Sequence, residues 1–208
     1  MELLKIFDEN QSPKGTATRE DVHLQGLWHE TFSCWFVGSE KGNWLIYFQL
    51  RSNQKENYPG LLDITAAGHL LADETVKDGV REVKEELGID LYFEELEPLG
   101  VIPTTISSEK QIDREFIHTY LYRYEASLEE FCLQEEEVSG IVKGSFSDFE
   151  ALFLDNRPAM GVEGILYKEG NRISFSRMVE KKDFVPHEMS YYERVIGGIK
   201  EYISKMDS

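Results

Sequence analysis

The 208-residue chain is poor in positive charge: 22 lysines and arginines face 39 aspartates and glutamates, a formal net charge of −17. So acidic a chain repels nucleic-acid backbones and anionic membranes, which excludes a nucleic acid polymer and a membrane as partners. A small anionic substrate stays within reach, because a bound cation reverses the local field. Cysteine is scarce too. Cys34 and Cys132 are too few for a disulfide framework and have no CxxC spacing, so two reduced, partly buried thiols are expected. The longest apolar run, Trp44 to Phe48, falls far short of a membrane span. Charges at Glu2, Lys5, Asp8 and Glu9 do not suit a signal peptide, so a cytoplasmic location is expected. Prolines number six, and no repeat, low-complexity tract or Pro/Ser-rich linker breaks the chain. With 41% hydrophobic and 12% aromatic residues it can bury a core, which rules out wholesale disorder.

What is present reads as a mixed α/β chain. Leu3 to Phe7 suits a strand, followed by a turn-rich stretch around Asp8, Asn10, Ser12-Pro13 and Gly15. Phe32 to Val37 and Trp44 to Leu50, both aromatic and branched, flank Gly38 to Asn43 as a hairpin. Leu61 to Leu71 suits a strand bending into a loop at Gly68. Thr75 to Leu87 is the clearest helix: Val76, Val80, Val83 and Leu87 form one stripe, and Gly88 follows at the stop position. Leu99 to Ile106, Asp113 to Tyr124 and Val138 to Gly144 read as strands, and Ser147 to Leu154 as a short helix. Gly164 to Met178 forms a hairpin around Glu169-Gly170-Asn171. His187 to Met206 closes the chain as a helix with Tyr191, Val195, Ile199 and Ile203 on one face, where Tyr191 and Tyr192 serve core packing.

The chemistry concentrates between Ala67 and Ile89. On a helix of about 3.6 residues per turn, Glu82, Glu85 and Glu86 share an arc of about 100°. Carboxylates so close repel one another. Cations relieve the repulsion, and carboxylate oxygens are what Mg²⁺ or Mn²⁺ prefers. A solvated acidic face is the other reading of the charges alone.

The flanking residues resemble the Nudix box, the loop-helix-loop signature of Nudix (MutT-like) pyrophosphohydrolases. Gly68, five residues and Glu74 match its first half, and Arg81-Glu82-Val83-Lys84-Glu85-Glu86-Leu87-Gly88-Ile89 matches its second at every specified position. One departure lies between them: six residues separate Glu74 from Arg81 where the box has seven, a one-residue deletion at the loop-to-helix junction that can shift Glu74. The resemblance implies a Nudix-fold α/β/α sandwich with a mixed sheet, and metal-dependent hydrolysis of a small organic diphosphate of the nucleoside diphosphate-X type. It implies that Glu82, Glu85, Glu86 and the backbone carbonyl of Ala67 hold Mg²⁺ or Mn²⁺. Arg81 would orient the carboxylates, Glu74 would steady Arg81, and Glu82 or Glu85 would deprotonate the attacking water. Glu115 and the run Glu135-Glu136-Glu137 are candidates for an additional carboxylate, the run reading more simply as a solvated turn. Arg51 and Lys55 are candidates for binding substrate phosphates.

A narrower resemblance covers the first two-thirds of the chain. Phe7-Asp8-Glu9-Asn10, Gly15 to Arg19, His23 to His29, Gln49 to Ser52 with Lys55, and Pro59 to Asp63 look like the Nudix branch of isopentenyl-diphosphate isomerase. That isomerase builds a second metal site from three histidines and two acids, here His23, His29, His69, Asp113 and Glu115; hydrogen bonding within a loop is the simpler use of these histidines. Its cysteine acid, however, is replaced by Ala67, which cannot protonate a carbon–carbon double bond, so hydrolysis is favoured. Two alternatives stand beside the hydrolase: an isopentenyl-diphosphate isomerase-like enzyme, and a non-catalytic nucleotide-binding Nudix module. One Nudix domain over residues 1–208 is expected, with an N-terminal β extension at 1–29, a core at 30–160 and a C-terminal hairpin and helix at 161–208. The extra N-terminal strands suit a homodimer.

Overall fold

The computed structural model describes residues 2–107, 112–155, 157–168 and 170–207. Glu169, expected in the turn of the last hairpin, lies outside them. A long hairpin organises the chain. Strand β3 (Trp28–Glu40) turns at Lys41-Gly42 into β4 (Asn43–Arg51), and the two pair only near the turn, from Val37↔Ile46 to Glu40↔Asn43. Beyond that the strands diverge, and two short pieces fill the gap. Strand β5 (Leu62–Asp63) pairs with β4, and β6 (Ala66–His69) pairs antiparallel with β3 over Thr31–Cys34. The stretch from Leu61 to Leu71, expected as a strand bending into a loop at Gly68, is therefore two short strands serving different neighbours.

The sheet extends both ways from this gap. On its other edge β3 carries β8 (Ile112–Arg123), parallel from Trp28↔Arg114 to Val37↔Arg123, and β8 pairs antiparallel with β7 (Glu97–Ser107). Outside β4 come β9 (Val138–Ser145), β10 (Met160–Lys168) and β11 (Asn171–Val179), all antiparallel. At the far end of β3, Trp28 and His29 meet β1 (Leu3–Phe7), which pairs with β2 (Pro13–Thr18). Strand β2 and the following helix α1 (Arg19–Gln25) occupy the stretch read from sequence as turns. The local composition of β2, with Pro13 and Gly15, is a poor strand signal, and the pairing with β1 supplies what propensity does not. Helix α1 is capped by the Thr18 side chain accepting from the Asp21 N–H, and it stops at Gly26.

Alternation along β3 divides the core into two layers. Trp35 and Val37 face helix α3 (Phe146–Leu154) and helix α4 (Met189–Met206), whose Phe149, Tyr191, Val195 and Ile199 are buried with them. Phe32, Cys34 and Phe36 face the opposite side, with Val83 and Leu87 of helix α2 (Val80–Leu87). Burying each such large side chain contributes on the order of 1.5–3 kcal/mol, which is why both faces of the sheet carry helices. The arrangement is the expected α/β/α sandwich with a mixed sheet. Tyr191 and Tyr192 are core residues, Trp35 donating to the Tyr191 hydroxyl and Tyr192 stacking on Phe153. Helix α4 starts at Met189 rather than His187, because Val185 and His187 belong to a preceding segment that hydrogen-bonds along β5. The thiols differ from expectation: Cys34 is wholly buried and Cys132 exposed. Among the described residues no helix is long and apolar enough to cross a membrane.

Candidate functional site

The gap between β3 and β4 opens into a cavity of about 1010 Å³ that Gly68, His69, Glu82, Glu85, Glu86 and Glu115 help line. Two clusters meet there, one on each side of β6. Gly68 pairs with Phe32 and so belongs to the face covered by α2. A Cβ on Gly68 would lie 2.1 Å from the Glu82 carboxyl carbon, so only glycine leaves the carboxylate its place. Residues Val76–Gly79 ahead of α2 form a 3₁₀ turn, and this absorbs the one-residue deletion. Four residues at the 3₁₀ rise of about 2 Å advance the chain by about 8 Å, as far as five residues of α-helix. Glu74 therefore still reaches Arg81, its Oε1 accepting from Nε at 2.5 Å and its Oε2 from Nη2 at 3.0 Å.

Arg81 ties the first cluster together. Its Nη1 donates to Glu82 at 2.6 Å and to Glu85 at 3.1 Å, and its Nη2 donates to the His69 carbonyl at 2.9 Å. The hydrogen bond from Arg81 holds Glu74 below the usual carboxylate range. Glu86, buried, accepts from Gln49 Nε2 and the Ala67 N–H, both at 3.2 Å, and has no ion-pair partner among the described residues. Burial, with the charge of Glu82 added, pushes the Glu86 carboxyl up to about 8. Burial likewise lifts Glu82 to about 7, with Arg81 only partly opposing it. Three carboxylates at one cavity, two of them penalised for being charged, are hard-oxygen donors of the kind divalent cations prefer.

The second cluster occupies the other face. His29 and Thr31 of β3, His69 of β6 and Glu115 of β8 lie in register across three strands, and α1 brings His23 over them. His23 Nε2 stands 3.2 Å from His69 Nε2 and 3.7 Å from Asp113 Oδ1, and His29 Nε2 lies 3.6 Å from the same oxygen and 3.9 Å from Glu115 Oε1. His29 Nδ1 donates to the Leu27 carbonyl, leaving the Nε2 lone pair aimed at the carboxylates. His29 Nε2 and Asp113 Oδ1 are buried and have no hydrogen-bond partner among the described residues. Burial lowers the imidazoles of His23, His29 and His69 and raises Glu115, which Asp113 and Asp63 raise further. Orphaned lone pairs converging on one point fit a cation.

The other expected residues fall out unequally. Gly88 ends α2 with φ 71°, where a Cβ would meet Cys132 at 2.6 Å. Arg51 lines the cavity but its guanidinium is engaged, Nη1 with Asp63 at 2.8 Å and Nε and Nη2 with the Asn57 carbonyl. Lys55 lines it too and pairs with Glu137, which draws one member of the glutamate run to the cavity edge. Sequence reasoning missed Gln49 as a support for Glu86, and missed His187. The latter, outside the helix assigned to it, donates from Nε2 to Asp63 Oδ1 at 3.2 Å at the same cavity. Nothing in its neighbours in the chain marks it.

A family model described as NUDIX domain matches residues 27–162. The chain is 42% identical over 202 residues to a Nudix hydrolase of Clostridium acetobutylicum named as uncharacterised, covering 96% of this chain and 98% of that one. It is 30% identical over 125 residues to an isopentenyl-diphosphate Delta-isomerase of Photorhabdus laumondii, covering 60% of this chain and 68% of that one. Among solved structures, a MutT/nudix family protein from Enterococcus faecalis shares the fold with a TM-score of 0.54 at 13% identity, over 84% of this chain and 62% of that one.

Proposed function

Because the chain belongs to the Nudix family and is a Nudix hydrolase, we propose that it cleaves a small organic diphosphate of the nucleoside diphosphate-X type, with Mg²⁺ or Mn²⁺, in the cytoplasm. The observation that carries this reading is that Glu82, Glu85 and Glu86 line one cavity, the first two held by Arg81 and the third by Gln49 and the Ala67 N–H. A divalent cation there supplies neutralisation of phosphate charge and a water acidic enough to attack phosphorus. Glu82, Glu85, Glu86 and the Ala67 carbonyl are the residues that would hold it. Arg81 fixes Glu82 and Glu85 in one orientation, and Glu74 fixes Arg81, so no side-chain freedom is lost when the substrate arrives. Glu82 or Glu85 takes the proton of the attacking water. The water oxygen bonds to phosphorus, the P–O anhydride bond breaks, and two phosphate monoesters leave. Lys55, charged and at the cavity edge, meets the phosphates; Arg51 acts by shaping the loop at Asn57 and by holding Asp63.

His23, His29, His69, Asp113 and Glu115 favour a second bound metal, the observation that also supports an isomerase-like reading. Ala67 opposes isomerisation, since no acid stands at its position. Phosphorus NMR of a pool of ADP-ribose, NADH, a dinucleoside polyphosphate, nucleoside triphosphates and isopentenyl diphosphate separates the readings. Conversion of an anhydride resonance to monophosphate by the wild type and not by Glu86→Gln supports the hydrolase. Production of dimethylallyl diphosphate, or full turnover by Glu86→Gln, overturns it.

A further inference from the structure

His187 lies beyond residues 27–162, the part of the chain that the family model matches, yet its ring lines the cavity that holds both clusters. The path that brings it there is specific. Phe184 forms a parallel bridge with Leu62, the Val185 N–H donates to the Leu62 carbonyl, and the Val185 carbonyl accepts from the His187 N–H and the Tyr192 hydroxyl. The segment thus adds to β5 like a short strand and is clamped by α4, whose Tyr191 ring lies 4.7 Å from the imidazole. The His187 side chain is 7% exposed.

The orientation of the ring is fixed through its back. Asp63 Oδ1 accepts from His187 Nε2 at 3.2 Å and from the Ile64 N–H at 2.8 Å, while Oδ2 accepts from Arg51 at 2.8 Å. Burial opposes the charge on Asp63, but the His187 hydrogen bond and Arg51 prevail and hold the carboxyl below its ordinary value. In the tautomer that gives its Nε2–H to Asp63, the ring carries its lone pair on Nδ1. That atom is buried and has no hydrogen-bond partner among the described residues. A buried acceptor left unmade in a ring so carefully held is a group awaiting a donor.

We propose that His187 is a specificity-determining residue whose Nδ1 accepts a hydrogen bond from an O–H or N–H donor on the organic group of the diphosphate substrate. The proposal rests on the reading of this cavity as the diphosphate site. A fully ionised diphosphate has no donor of its own, so the partner belongs to the organic half, such as a sugar hydroxyl or a nucleobase N–H. An isoprenyl chain has neither. His187 therefore selects polar, nucleoside-like or sugar-like groups, and the C-terminal segment writes this preference onto a site whose hydrolytic parts come from residues 67–89.

Two variants separate recognition from support. His187→Gln keeps a donor to Asp63 and removes the Nδ1 acceptor, whereas His187→Asn keeps a polar atom near Nδ1 and removes the link to Asp63. Steady-state hydrolysis of ADP-ribose with Mg²⁺ is expected to show KM raised about tenfold in His187→Gln, the equivalent of about 1.4 kcal/mol, with kcat within about twofold. Calorimetric binding of ADP-ribose and of isopentenyl diphosphate extends the test to a protein that turns neither over, which keeps it independent of the hydrolase assignment. About tenfold weaker ADP-ribose binding by His187→Gln, with isopentenyl diphosphate unaffected, supports the proposal. Equal binding by His187→Gln and wild type overturns it, leaving His187 as a clamp for Asp63. A fall in kcat at constant KM overturns it in favour of proton transfer. Tighter binding of isopentenyl diphosphate than of ADP-ribose by the wild type, or no ADP-ribose binding, overturns it as well.

Discussion

The two sides of β6 hold two clusters built on opposite plans. On the α2 side, Glu82, Glu85 and Glu86 come from two helical turns, and Arg81 beside them in the chain supplies the positive charge that holds Glu82 and Glu85. On the other side, His23, His29, His69, Asp113 and Glu115 come from α1, β3, β6 and β8, and no lysine or arginine among the described residues pairs with them. Adjacent residues of one strand serve both: Gly68 makes room for Glu82, and His69 enters the histidine cluster while its carbonyl accepts from Arg81. A cluster local in sequence carries its own counter-charge, whereas one assembled from distant strands leaves its lone pairs unmet. In the first, Glu82 and Glu85 are already held by their counter-charge; the second gathers ligand atoms close enough to share a metal ion.

Breaking the first cluster should have the larger effects. Glu86→Gln is expected to lower kcat/KM on the order of 10³-fold, as loss of a group that stabilises developing charge does. Circular dichroism and melting should stay near wild type, because the amide can still accept from Gln49 and Ala67. Arg81→Ala should cost on the order of 10²-fold in kcat/KM, since Glu74, Glu82 and Glu85 then repel without an organiser. Raising Mg²⁺ should recover part of that loss, and failure to recover any would mean that Arg81 acts on substrate rather than on the glutamates.

The second cluster should respond more mildly. His29→Ala is expected to remove one Mn²⁺ per chain, counted by electron paramagnetic resonance, and to lower Mg²⁺-supported hydrolysis by about tenfold or less. An unchanged metal count would reduce the cluster to a hydrogen-bonded loop. The smallest effect is expected at His118→Gln. His118 alternates with Glu115 along β8, so it points to the opposite face and pairs with Glu30 at 3.0 Å, away from the cavity. Glutamine keeps that contact, so metal count should be unchanged and activity within about twofold. A large loss there would mean that the two faces are coupled through β3.

The unequal legibility of the two clusters follows from the same contrast. The α2 stripe, the glutamate arc and the Gly88 stop are set by helical period and spacing, so they are legible directly, whereas the Arg81–Glu74 pair is legible only through the family resemblance. Where Glu74 lies after the one-residue deletion depends on the 3₁₀ turn at Val76–Gly79. The histidine cluster is legible only through a resemblance, because His23 and His69 lie 46 residues apart and meet through the packing of α1 against the sheet. Strand β2 and helix α1 have no clear local signal, and the engagement of the Arg51 guanidinium with Asp63 and Asn57 depends on tertiary contacts.

The amino-acid sequence by itself determined the acidic chain, the α/β alternation and the carboxylate helix, since periodicity and spacing are properties of neighbours. Only the tertiary structure decided where β3 and β4 part, which side of β6 each cluster occupies, and that His187 faces Asp63 across 124 residues. Register between distant strands depends on the summed packing of two core layers, and no short stretch of chain contains that sum.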